Sequence, residues 1–123
     1  MARYLFQGSY TSDSWAAQVA AQSNVVERIQ PLLTACKANL DSIYYAFGDS
    51  DIVALIDFPT AEDAAAFSLA TTAGGSLKSA KTTPLLSVEQ GRTAMKKAAE
   101  AGKHYQPART IDLSDSRPKA KTR

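Results

Sequence analysis

Two carboxylates one residue apart, in the run Gly48-Asp49-Ser50-Asp51, are the strongest candidates for chemistry in this chain. Asp49 or Asp51 can accept turn amides through its side chain, and Gly48 can supply a turn conformation forbidden to most residues. That structural duty is enough to account for all four. The functional alternative sets Asp51 at the rim of an apolar lumen with Ser50 as a weak donor. There desolvation would raise the carboxylate's pKa and let it take a proton from a carbon acid. Lys81 and Thr83 are the second group. Alternate strand residues point the same way, so these two share a face and Thr82 takes the other. Opposite Asp51 in a lumen, Lys81 would orient an acidic or carbonyl substrate; at a sheet edge it would discourage association. Tyr4, Tyr45, Tyr44, Phe6 and Tyr10 suit core and interface packing better than a ring-stacking pocket, though buried hydroxyls need partners.

Other chemistries lack their residues. The single Cys36 allows no internal disulfide, and it falls among Ile29, Leu32 and Leu33 as a buried structural thiol. His104 is the only histidine and has no companion ligands near it, so neither a metal site nor a serine triad is supported. Gly74-Gly75 ends a helix instead of opening one, which removes the obvious phosphate loop. The expectation is a protein without metal or cofactor. No apolar run approaches the roughly 18 residues of a membrane span, and Arg3 is not followed by an export segment. A soluble, cytoplasmic protein with no membrane contact is the consequence.

Charge is divided unevenly. Residues 1–100 carry eight Lys or Arg against ten Asp or Glu, whereas residues 101–123 carry six against two. The division predicts a domain over 1–102 and a basic, flexible tail over 103–123. Arg109, Arg117, Lys119, Lys121 and Arg123 have no aromatic platform beside them, which argues against nucleic-acid binding.

The elements that must position these residues centre on one hairpin. Asn39–Phe47 and Asp51–Phe58 are rich in aromatic and β-branched residues and flank the Gly48 turn, an antiparallel signature. Before it, Arg3–Tyr10 alternates as a first strand in which Gly8 hints at a helix crossing or a ligand. Helices follow over about 12–22 and 24–38, with Trp15, Val19, Val26, Ile29 and Leu33 at near-helical spacing. Asn24 and Glu27 offer a capping box, and Pro31 predicts a kink or break near Ile29 to Gln30. After the hairpin, Thr60 and Asp63 cap a helix whose face is read as Ala61, Ala65, Leu69 and Ala73, joined by Ala66, Phe67 and Ala70. Leu77–Ser87 is a last strand, edge-placed or bulged because of Pro84. A final helix spans about Val88 to Ala101, anchored by Val88, Met95, Ala98 and Ala99.

This order gives an α+β fold, a ferredoxin-like βαββαβ sandwich with a C-terminal helix. Tyr4, Phe6 and Tyr10 oppose Leu5; Ile52, Ala54 and Ile56 oppose Val53 and Leu55. Both sheet faces are therefore apolar, and an antiparallel sheet covered on one side only should alternate more cleanly. A homodimer through the second sheet face follows.

Three stretches carry a resemblance. Phe47-Gly48-Asp49-Ser50-Asp51-Ile52-Val53, Ala65 to Ala70 with Gly74-Gly75, and Lys81-Thr82-Thr83-Pro84-Leu85-Leu86 together resemble the GYD domain family of small bacterial proteins. Arg3-Tyr4 to Tyr10 and Ser14-Trp15 extend the likeness to roughly residues 3–105. Ser50 stands where the tyrosine of the family's Gly-Tyr-Asp motif would be, removing a ligand contact or acid if that tyrosine lines a site. The family resembles the dimeric α+β barrel superfamily, whose subunits face their sheets around a shared lumen. Superfamily relatives include cofactor-free monooxygenases, haem-degrading, dismutating and isomerising enzymes, and effector-binding domains. The expected function is binding of a small apolar or aromatic molecule, as sensor or carrier. The alternatives are a cofactor-independent oxygenase or isomerase acting on an aromatic or carbonyl compound, and a structural homodimer without a ligand site.

Overall fold

Every second residue of the first strand is buried, and that alternation sets which side of the sheet the helices cover. The computed structural model describes residues 1–108. In chain order its elements are β1 (Ala2–Tyr10), α1 (Ser12–Ala21), α2 (Val25–Ala35), β2 (Asn39–Tyr45), β3 (Ile52–Phe58), α3 (Ala61–Ala73), β4 (Leu77–Leu85) and α4 (Val88–Ala101). The fold is α+β, with one antiparallel four-stranded sheet in the order β2-β3-β1-β4. Two compact units divide the chain, Met1–Leu86 and the segment from Ser87 onward. Most of the expected tail, from residue 109, lies outside the described residues.

In the first unit, Tyr4 stands opposite Ile56, Phe6 opposite Ala54 and Gly8 opposite Ile52, all on the buried side. Phe67 of α3 packs edge-on against Phe6 with ring centres 5.1 Å apart. Trp15 of α1 meets Tyr10 in the same way, also at 5.1 Å. Val25 and Leu33 bring α2 into this core. The register slips between Leu40 and Ser42, so the extra residue Asp41 puts both Leu40 and Ile43 on the core side, opposite Ile56 and Ala54.

Several expectations are corrected by this packing. Val19 and Val26 are exposed, and α1 and α2 bury Gln18 and Val25 in their stead. Leu69 is exposed too; α3 meets the sheet through Ala64 and Phe67, since only that stripe lies above Phe6 and Phe58. α2 continues through Pro31 without a break. The carbonyl of Glu27, which loses its donor, lies in an exposed stretch where water can replace it. Asn24 does cap α2, accepting from the amides of Val26 and Glu27. At Gly8 the nearest groups are side chains of neighbouring strands. A Cβ there would meet Leu77 Cδ1 at 3.1 Å and Ile52 Cγ2 at 3.3 Å, so the glycine makes room for core side chains. β4 is an edge strand, as Pro84 requires.

In the second unit, Ser87 and Gln90 form a reciprocal capping box at the start of α4. None of the residues of α4 is buried, so Val88 and Met95 do not act as core anchors.

Ile56 is fully buried whereas Leu55, its neighbour on the opposite sheet face, is only half-buried. Ile56→Ala should therefore cost about 2–5 kcal/mol in urea unfolding. A loss near zero would contradict its place in the core.

Candidate functional site

The turn after β2 is built by its aromatic neighbours. Phe47, not Gly48, takes the left-handed conformation, with φ of 54°. Its ring stacks on Trp15 at 5.9 Å and on Tyr45 at 5.8 Å, and these contacts offset the backbone strain. Gly48 donates its N–H to the carbonyl of Ser50, and Asp49 is exposed. Asp51 does the tying. Its Oδ2 accepts the N–H of Tyr10 at 2.9 Å and the indole N–H of Trp15 at 3.2 Å. Its own N–H donates to the Gly8 carbonyl at 2.8 Å.

Beside that junction the sheet carries a cavity of about 190 Å³. α2 lies over β2, and α3 lies over β3 and β4, so the strip between the two helices is left uncovered. Phe6, Ile52, Ala54 and Ile56 form the cavity floor; Ile29 and Phe67 stand among its walls. One end is polar. Arg28 lines it, with Nη1 donating to Ser23 Oγ at 2.7 Å. Nη2 donates to the Tyr10 hydroxyl at 3.4 Å and to Gln18 Oε1 at 3.3 Å. Gln18 is 9% exposed and also accepts the Tyr45 hydroxyl at 3.4 Å, while its amide nitrogen donates to Ser14 Oγ. Burial raises the pKa of the Tyr10 hydroxyl, and the neighbouring Arg28 pulls it the other way.

The sequence-derived candidates are split by the sheet. Tyr4 and Tyr45 lie on the helix side, where Tyr4 packs edge-on against Phe58 at 5.6 Å. Asp51 turns to the same side through Trp15, and Ser50 is in the turn before it. Lys81 and Thr83 stand on the opposite face, paired with Gln7 and Leu5, and both are exposed. Within one chain, then, Lys81 does not meet Asp51. Thr82 faces the helices, and its hydroxyl is buried without a partner among the described residues. Burial pushes the Cys36 thiol pKa up, with Asp63 adding to it, which suits a structural thiol. No group of residues able to hold a metal ion occurs among the described residues.

The sheet face opposite α1, α2 and α3 has its own ionic cluster. Arg3 Nε and Nη2 grip Asp57 at 2.9 and 3.1 Å, and Nη2 also reaches Asp41 at 3.2 Å. The Arg3 hydrogen bond holds the Asp57 carboxyl below its usual range. Leu5, Val53 and Leu55 are half-buried on this face, and no helix of the first unit covers them.

Arg28 and Gln18 were not singled out from the sequence. A charged residue on a helix reads as solvated, and its partners lie 10 and 18 residues away. The one usable sign was a glutamine three residues after Trp15, on the inward stripe of α1.

Comparison with known families finds a match to the GYD domain model over residues 4–98. Neither a curated protein nor a solved structure matches the chain. No helix among the described residues is long and apolar enough to cross a membrane.

Asp51→Ala strands the Tyr10 amide and the Trp15 indole and should cost about 1–3 kcal/mol in urea unfolding. Asp51→Asn keeps an acceptor oxygen and should lose less than half of that. An unchanged midpoint for the alanine variant would remove Asp51 from its anchoring role.

Proposed function

The chain belongs to the GYD domain family, and from that premise we propose that it is a small-molecule-binding protein, a sensor or carrier. The ligand site is the cavity between sheet and helices. One observation carries this reading: a void of about 190 Å³ with a mainly apolar lining and one polar end. Binding sites commonly combine an apolar lining with a few convergent polar groups. An apolar cavity of about 150 Å³ is enough to bind benzene. Tyr45 and Asp51 serve the site indirectly, through Gln18 and through the Tyr10 backbone.

Catalysis is the weaker reading. Tyr10 and Arg28 are the titratable side chains of the lining, and neither a carboxylate nor a histidine joins them among the described residues. A cofactor-independent oxygenase or isomerase would have to work with a phenol and a guanidinium.

The arrangement is read as ferredoxin-like, and the protein as a homodimer through the sheet face opposite α1, α2 and α3. Leu5, Val53 and Leu55, with the exposed Tyr44 beside them, are the apolar surface that a second sheet would bury. Lys81 and Thr83 would then sit between the two sheets, near the partner and away from the cavity.

Ala54→Leu puts an isobutyl group where the cavity has room. Overpacking costs about 1–3 kcal/mol in a filled core, so an unchanged or higher melting temperature is expected here. The full wild-type chain should take up toluene, followed by the emission of Trp15, the only tryptophan, and the variant should not. Wild-type protein that takes up no toluene would sink the cavity reading. Separately, Leu55→Lys should turn a dimer into a folded monomer in sedimentation at micromolar concentration. A wild-type monomer under those conditions would overturn the homodimer.

A further inference from the structure

Resting on the cavity reading above, we infer that the ligand is a small organic anion, a carboxylate or enolate with the bulk of one six-membered ring, bound head-first on Arg28 and Tyr10. The polar end is built to present positive charge without cancelling it. Arg28 is held by the oxygens of Ser23, Tyr10 and Gln18, all neutral acceptors, and no carboxylate lines the cavity among the described residues. These partners orient the guanidinium and leave its charge unbalanced.

Two of the three bonds that hold Arg28 are long. Nη2 reaches its two oxygens at 3.4 and 3.3 Å, beyond the usual range for such donors, whereas Nη1 has a short bond to Ser23 at 2.7 Å. An anionic oxygen would make a shorter, charge-assisted bond in the same place. Tyr10 adds a second donor. Its ring is 5% exposed, its oxygen already accepts from Arg28, and no described residue accepts its proton. The two donors lie side by side in a mainly apolar cavity, whose other hydroxyl-bearing lining residues are Thr71 and Ser76. Phe6, Ile56 and Phe67 offer the remaining length only hydrocarbon contact, which suits a ring or an equally bulky branched chain. The cavity's volume, about 190 Å³, limits that body to a single ring.

The test uses the full chain with benzoate, benzamide and toluene, followed by titration calorimetry and by Trp15 emission. Wild-type protein should bind benzoate at least about tenfold more tightly than benzamide, since a bond to a charged group is worth about 1.5–3 kcal/mol. Arg28→Met should erase that preference, and Arg28→Lys, which keeps the positive charge, should retain part of it, both variants giving a cooperative urea transition. Tyr10→Phe should weaken benzoate several-fold more than it weakens toluene. Equal binding of benzoate and benzamide, or a benzoate preference that survives Arg28→Met, would overturn the anion proposal while toluene uptake keeps the cavity standing. Failure of all three compounds to bind would overturn both.

Discussion

One carboxylate oxygen, Asp51 Oδ2, ties together the end of a strand, the first turn of a helix and a hairpin. β1 ends at Tyr10, α1 presents Trp15 one turn later, and the β2–β3 hairpin closes at Asp51. With both N–H groups on one oxygen, the aromatic cluster of Tyr10, Trp15, Tyr45 and Phe47 has a fixed base. The Tyr10 hydroxyl is thereby set beside Arg28 at the polar end of the cavity. Function and fold thus share a hinge point: the group that looks most like a catalytic base in the sequence is spent on holding another residue in place.

The two sheet faces solve different problems. On the helix side, large aromatic residues fill the ends of the layer, while the gap between α2 and α3 leaves the centre open. On the other side, Arg3, Asp41 and Asp57 form a bidentate ionic cluster beside exposed hydrocarbon. An exposed and a half-buried carboxylate held by one partly exposed guanidinium contribute modestly to stability. Their clearer effect is on register, because Arg3 pairs directly with Asp57 across the strands and Asp41 is the bulged residue of β2.

The strands, and which of their residues share a face, are legible because a period of two is hard to disguise; which face turns inward is not, since both are apolar. Tyr4, Phe6 and Tyr10, and likewise Ile52, Ala54 and Ile56, fall where alternation puts them. Thr60 and Asn24 as caps were equally plain. Helix faces were harder. Alanine is compatible with either side, so the spacing in α3 points to Ala61, Ala65 and Leu69, with Phe67 joined to them and Ala64 left out, and in α1 it points to Val19 in place of Gln18. The left-handed residue of the turn was missed because Phe47 pays for it by stacking, which no local rule reveals. The site was the least legible part: Tyr10, Gln18 and Arg28 come from three elements, and only folding brings them together.

The outer strands carry a further consequence for how the molecule behaves in a crowded solution. At one border of the sheet Pro84 has no N–H to offer, and Lys78 and Lys81 are exposed along the same strand. At the other, the Asp41 bulge interrupts the ladder of β2. An incoming strand would find neither border continuous, so growth by repeated strand addition, the route to open-ended fibres, is obstructed at both ends. The sheet is finite by construction.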